Sequence, residues 1–272
     1  MNKALLLGTA GVAVAFGLLA AGYLAGPQTA EAEGTPQAVT IAAAETPLDR
    51  KGVEAVVREY LLSNPELILE VQQALETKQQ EEQRVAHLNV IKEAKAEIFN
   101  AAYDGVVGNP DGKVTIVEFY DYNCGYCKRA QEDMQALTAA DPELRFVLKE
   151  FPILGPDSQK AHVVSMAFRA LAPEKYGEFH NALLGGAGRA GEDSAIKIAL
   201  SLGVDEARLR EEMKNPEITK AFTATYDLAN RLAITGTPSY VVGNEVVFGA
   251  LGKEVLGEKI AAAKSCIEAA TC

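Results

Sequence analysis

The motif Cys124-Gly125-Tyr126-Cys127 directly follows the apolar run Val114 to Tyr120 and opens a stretch of helical periodicity. A strand that hands two cysteines at this spacing to a helix is the arrangement that dithiol and disulfide exchange needs. The first thiol then sits at the helix N-terminus, where unpaired backbone N–H groups and the helix dipole favour a thiolate. The second lies one turn in, ready to close the ring. The dipole supplies only about 0.3 to 1 kcal/mol, less than the roughly 1.4 kcal/mol of one pKa unit. Much of the tuning therefore falls to the Gly125-Tyr126 pair and to neighbours elsewhere in the chain.

Other cysteine chemistries fit less well. A zinc site wants a second close Cys/His pair, yet the remaining cysteines are Cys266 and Cys272, and His87, His162 and His180 are scattered. Haem attachment needs a histidine after the second cysteine, where Lys128 stands. A purely structural disulfide across so small a loop would remove little chain entropy.

The chain begins with Lys3, an apolar run from Ala4 to Gly26 broken by Thr9, and then Pro27. Residues 1–32 read as a signal peptide cleaved after Ala30-Glu31-Ala32, or, because the run approaches the roughly 20 residues that span a bilayer, as an uncleaved anchor over residues 4–26. Both readings export the remainder to an oxidising compartment of the periplasmic type. The whole-chain composition, 48% hydrophobic and 23% charged, suits a soluble globular protein beyond the leader. The net charge of -11 argues against nucleic acid, whose binding rests on basic patches, and against docking on anionic lipid.

Residues 33–47, rich in Ala, Thr, Glu and Pro, read as a linker. Residues 48–103 read as an N-terminal helical region: Val53, Val56, Val57, Tyr60 and Leu61 fall at helical spacing. Ser63-Asn64-Pro65-Glu66 supplies a break, a cap and a first-turn proline, and Leu67, Ile68, Val71 and Leu75 form the next stripe. Glu76 to Arg84 carries no apolar residue, after which Val85, Leu88, Ile91 and Ile98 resume the pattern. Such a stalk cannot build its own core, so its stripe packs on another copy of the chain or folds back on its own domain. Residues 104–272 read as the catalytic domain. Strand signals at Val114–Tyr120, Leu144–Phe151 and Tyr240–Phe248, the last broken at Gly243-Asn244, flank a helical insertion at 157–233. The fold class is therefore α/β.

Thr235-Gly236-Thr237-Pro238 precedes the third strand. An X-Pro bond is trans by default, but beside a Cys-x-x-Cys motif a cis bond is expected, turning the Thr237 backbone toward the disulfide to offer a substrate strand its hydrogen bonds. Glu118, six residues before Cys124, is either on the solvent face of a half-buried strand or a desolvated acid with raised pKa that relays protons to Cys127. Lys149 is either its counter-charge or an exposed strand residue. Cys266 and Cys272 cannot bridge across a continuous helix, because six residues at about 1.5 Å rise separate their Cα atoms by about 9 Å. The helix starting near Lys253 is expected to end close to Cys266, the tail folding back into a structural disulfide.

The run from Glu118 through Cys124 and Cys127 to Lys128, with Gly236-Thr237-Pro238, resembles the DsbA-type thioredoxin-fold family of bacterial periplasmic disulfide oxidoreductases. The run Val56 to Glu66 is similar to the leader helices of its ScsC branch, which includes trimeric isomerases, and the likeness covers about residues 50–265. It implies a thioredoxin fold with an inserted helical domain after an N-terminal helical stalk. It implies Cys124 as nucleophile, Cys127 as resolving thiol and a cis proline at Pro238, with Thr237, Gly125 and Tyr126 contacting substrate. Exported client proteins with cysteines, a membrane redox partner and a homo-oligomer, favoured as a trimer, follow as expected partners. DsbA has Pro-His between its cysteines and Val before the cis proline; Gly-Tyr and Thr here match the isomerase DsbC and shift weight from oxidation toward isomerisation or reduction. A monomeric dithiol oxidase is the alternative. Because ScsC proteins are linked to copper tolerance, a Cu(I) dithiolate at Cys124 and Cys127 is a further alternative, with no other metal or cofactor expected.

Overall fold

The computed structural model describes residues 49–269. The leader and linker, residues 1–32 and 33–47, and Cys272 lie outside them. Contacts divide the chain into two units, after Leu62. In the first, α1 (Arg50–Ser63) buries none of its residues, and its stripe of Val53, Val56, Val57 and Tyr60 is exposed. A 14-residue helix is at the lower limit of what holds by itself in water, about 12 to 15 residues.

The second unit begins with α2 (Glu66–Glu93), which starts directly after Pro65, and α3 (Lys95–Asn100). The first two thirds of α2 leave Ile68, Leu69, Val71, Leu75 and Val85 exposed, whereas its end buries His87 and Ile91, and α3 buries Ile98. The boundary expected at 103/104 therefore differs from the contact boundary. The last apolar residues of the helical region are spent on the sheet, so α2 and α3 belong with the catalytic body.

A five-stranded sheet follows, ordered β1-β3-β2-β4-β5, from β1 (Gly105–Gly108), β2 (Val114–Tyr120), β3 (Leu144–Glu150), β4 (Ser239–Val242) and β5 (Glu245–Phe248). β2 and β3 are parallel and joined by α4 (Gly125–Ala140); the other pairings are antiparallel. β4 and β5 form a hairpin that turns at Gly243 with φ 56°, where the sequence marks the break. Both faces of β2 are covered, which explains its continuous apolar reading. Ile116 and Tyr120 face one core with residues of α4 and α10 (Lys253–Glu268); Val117 and Phe119 face a second with Ile91, Ile98 and the end of α9 (Pro216–Arg231).

The insertion between β3 and β4 contains α5 (Pro156–Leu171), a 3-10 turn at Pro173–Lys175, α6 (Tyr176–Leu184), α7 (Glu192–Ser201), α8 (Glu206–Glu212) and α9. Most of it shares the core of β2 and α4. The edge strand β1 has no counterpart among the strand signals of the sequence, because four residues bounded by glycines carry no alternation to count.

Candidate active site

β2 ends at Tyr120, and Asp121 organises the turn into α4. Its backbone carbonyl accepts from the Cys124 N–H at 3.0 Å. One carboxylate oxygen accepts from the Asn123 N–H and the Ser158 hydroxyl, both at 2.8 Å, and the other from the Leu154 N–H at 2.9 Å. Cys124 is thereby held in extended conformation as the residue capping α4. Cys124 is 6% exposed and Cys127 is 0% exposed, and both are free thiols. Tyr126, 60% exposed, lies under the Arg129 guanidinium at 4.4 Å. A Cβ added at Gly125 would meet nothing within 4 Å, so glycine leaves that side of the pair open.

The two thiols are driven apart in acidity. A hydrogen bond from Cys127 is the largest influence on Cys124; against the opposing effect of burial, it combines with the Thr237 side chain and the Cys127 and Tyr126 backbone N–H groups to lower the Cys124 pKa to about 5. Burial, then the bond to Cys124 and the charge of Glu118, push the Cys127 thiol far up. One sulfur is thus a thiolate at neutral pH while its neighbour keeps its proton. The Thr237–Pro238 bond is cis, and the Cys124 thiol lies 3.2 Å from the Thr237 carbonyl oxygen.

Glu118 is buried on the α4 face of β2. Burial and then the Cys124 charge raise its pKa to about 8. Its solvent-face reading does not hold. Neither reading of Lys149 holds either: it pairs with Phe119 in the register, so it projects to the opposite face from Glu118. There it is fully buried, 2.5 Å from both Asp104 Oδ2 and the Glu97 carbonyl oxygen.

Sequence reasoning missed a second buried acid, Glu150. It accepts from Ser165 at 2.6 Å and from Tyr176 at 3.2 Å, and pairs with His162 Nδ1. The Tyr122 N–H donates to His162 Nε2 at 3.2 Å, so the ring proton sits on Nδ1, facing Glu150. The dyad therefore grips the backbone two residues before Cys124. Tyr176 reaches Glu150 only because residue 105 is glycine, since a Cβ there would sit 1.9 Å from its ring. Asn123 further clamps Ala190, donating to its carbonyl at 2.9 Å and accepting from its N–H at 2.7 Å. An Asp and an Asn in a strand-to-helix turn are the signal that could have flagged this bracing.

The profile described as DSBA-like thioredoxin domain matches residues 115–261, more than half of the chain. The chain belongs to this family. A second profile, the copper resistance protein ScsC N-terminal domain, matches residues 49–82. Similar solved structures include a thioredoxin-like oxidoreductase from Silicibacter pomeroyi, at 40% identity and TM-score 0.59, covering 62% of this chain and 97% of that one. BcfH of Salmonella enterica Typhimurium, at 27% and 0.68, covers 79% and 95%. ScsC of Proteus mirabilis, in a transitional conformation, at 27% and 0.59, covers 78% and 95%. The chain spans 24% of the length of the curated relatives it matches, Na(+)/H(+) antiporters NhaA 3 of Salinispora tropica and NhaA 1 of Salinispora arenicola, at 24% and 26% identity over 59% of this chain. The DsbA-like match spans both Cys124 and Cys127, and the ScsC-type match lies within the helical region that precedes the sheet.

Among the described residues no group of three potential metal-ligating side chains clusters, and no helix is long and apolar enough to cross a membrane. The anchor expected at residues 4–26 lies outside the described residues. α10 runs to Glu268 and Cys266 is disulfide-bonded.

Proposed function

We propose that this chain is a periplasmic thiol:disulfide interchange protein that isomerises or reduces disulfides of exported proteins as a homo-oligomer assembled through residues 48–103. The observation that carries the proposal is the division of labour at the CxxC pair: a Cys124 pKa of about 5 beside a buried, protonated Cys127, with the cis Thr237–Pro238 segment against the first sulfur. The exposed apolar stripes of α1 and α2 support assembly, and the ScsC-type match over residues 49–82 supports both assembly and export.

In the proposed mechanism the Cys124 thiolate attacks a client disulfide, forming a Cys124–client bond and releasing a client thiolate. If another client thiolate attacks that mixed disulfide, Cys124 leaves as thiolate and the client is reshuffled without net redox change. If Cys127 attacks instead, its proton passes to the Glu118 carboxylate, the Cys124–Cys127 disulfide forms, and the client departs reduced by two electrons. A membrane redox partner would then return the pair to the dithiol. Pro238 and Thr237 would hold the client strand beside Cys124, with Gly125 and Tyr126 forming the open wall.

The low Cys124 pKa also favours a second reading, a dithiol oxidase, because stabilising the reduced form makes the disulfide the stronger oxidant. The two sulfurs would suit Cu(I) as soft ligands in the copper-binding alternative. One assay separates the three: reactivation of a scrambled-disulfide protein against oxidation of a reduced one, with light scattering on the same sample. Oligomeric mass with reactivation supports the proposal, monomeric mass with oxidation alone replaces it by the oxidase, and Cu(I) retention without turnover in either arm replaces it by the copper reading.

A further inference from the structure

At the end of the sheet remote from Cys124, six elements enclose a cleft of about 630 Å³. It is built from the end of α2, α3, the starts of β2 and β3, the β4–β5 turn and the end of α10. β2 separates it from the thiols, since Val114 lines the cleft and Cys124 lies beyond the other end of a strand about 20 Å long. The size falls within the roughly 300 to 1,000 Å³ of small-molecule sites.

Its lining is chemically one-sided. Lys92, Lys95, Lys113 and Arg145 contribute four cations, and among the described residues no carboxylate lines the cleft, in a chain whose net charge is -11. Lys113 is engaged at the rim by Glu143, 2.8 Å away. Lys92 and Lys95 form no ion pair among the described residues. Arg145 is held in place through Nη1, which donates to the Phe99 carbonyl at 3.0 Å, while its other guanidinium nitrogens are uncommitted. A positioned guanidinium with a free edge suits a carboxylate or sulfonate. Beside the cations stand Phe99, Val114 and Ile267, the last 46% exposed.

We propose that this cleft binds one anionic amphiphile, a single-chain carboxylate of the fatty-acid class, with its head on Arg145 and the two lysines and its chain along Phe99, Val114 and Ile267. Apolar walls alone would accept any hydrocarbon; the unopposed cations select the anion. A recessed cleft holding one chain commits the site to the free molecule rather than a bilayer surface.

The test uses the purified protein with its stalk and displacement of the fluorescent anion 8-anilinonaphthalene-1-sulfonate. Decanoate below its micellar concentration should displace it with one site per chain, and decyltrimethylammonium should be at least about tenfold weaker. Lys92→Glu/Lys95→Glu, at exposed positions, and separately Ile267→Asp should each weaken decanoate at least about tenfold while thermal midpoint and Cys124 thiol reactivity stay unchanged. Equal displacement by the cation, undiminished decanoate binding to both folded variants, or loss of binding on Leu69→Lys in the exposed stripe of α2 would overturn the proposal. Binding only to phosphatidylglycerol vesicles would overturn it in favour of a membrane surface. None of these outcomes bears on the thiol chemistry.

Discussion

Glu118 and Glu150 lie on adjacent strands of one sheet face, two register positions apart, and both are buried, yet they sit in opposite states. Around Glu150, burial alone would raise the pKa, but His162, Ser165 and tyrosine hydroxyls more than offset it and the pKa is lowered. Among the described residues Glu118 has no comparable set of donors, so burial prevails and its pKa climbs to about 8. A buried carboxylate with donors is a structural anchor, whereas one without them stays close to neutral pH and can exchange a proton. The contrast assigns bracing to Glu150 and proton transfer to Glu118.

The largest expected effect tests the thiols that make Glu118 useful. Cys124→Ser should abolish exchange, and Cys127→Ala should accumulate mixed disulfides with clients on non-reducing gels. Cys124→Ser also removes the charge that raises Glu118, so the Glu118 pKa, followed by carboxyl NMR, should fall while that of Glu150 stays put. Normal turnover of the Cys127 variant with nothing trapped would reverse the assigned roles. The alkylation rate of Cys124 should rise about tenfold per pH unit up to about pH 5 and then level off, because only the thiolate reacts. A midpoint near that of an ordinary thiol would refute the hydrogen-bonded thiolate.

His162→Ala breaks the comparison from the Glu150 side. It leaves a buried carboxylate without its main partner and frees the Tyr122 N–H, at an expected cost of about 3 to 5 kcal/mol in urea unfolding. Glu150 has its pKa lowered by folding, so its contribution is present above the ordinary carboxylate range and is lost as pH falls through its native pKa. Glu118→Gln acts with the opposite sign. Folding favours the protonated acid, so the wild type loses stability as pH rises from about 4.5 toward about 8. The glutamine variant should therefore be the more stable protein at pH 8, by a few kcal/mol at about 1.4 kcal/mol per unit, while resolving mixed disulfides more slowly. A variant less stable than wild type at pH 8 would mean that Glu118 has an anchoring role after all.

The smallest effect is expected at the other cysteines. Cys266→Ser together with Cys272→Ser should leave insulin-disulfide reduction nearly unchanged, because Cys266 lies near the end of α10, outside the turn that carries Cys124. A large loss of activity with the fold preserved would make that pair a second relay.

Much of this architecture could be read along the chain because its determinants are local. The apolar run of β2, the cysteine spacing at the head of α4, the turn at Gly243 and the proline-led start of α9 each depend on a few consecutive residues. The Glu150 network could not be read this way. His162 and Ser165 come from α5, Tyr176 from the start of α6 and the permissive glycine from β1, so the cluster exists only once the insertion has folded onto the sheet. Lys149 was misread for a related reason: which face a strand residue occupies follows from register, and a shift of one residue reverses the assignment.

Taken by itself, the sequence determined that two cysteines would meet at the start of a helix behind a buried strand, since chain connectivity and side-chain period leave little else. The tertiary structure alone decided how acidic each buried group is. Acidity depends on the balance between desolvation and the donors within reach, and those donors arrive from other elements of the fold, as with Ser165 and Tyr176 on Glu150, 15 and 26 residues further along the chain.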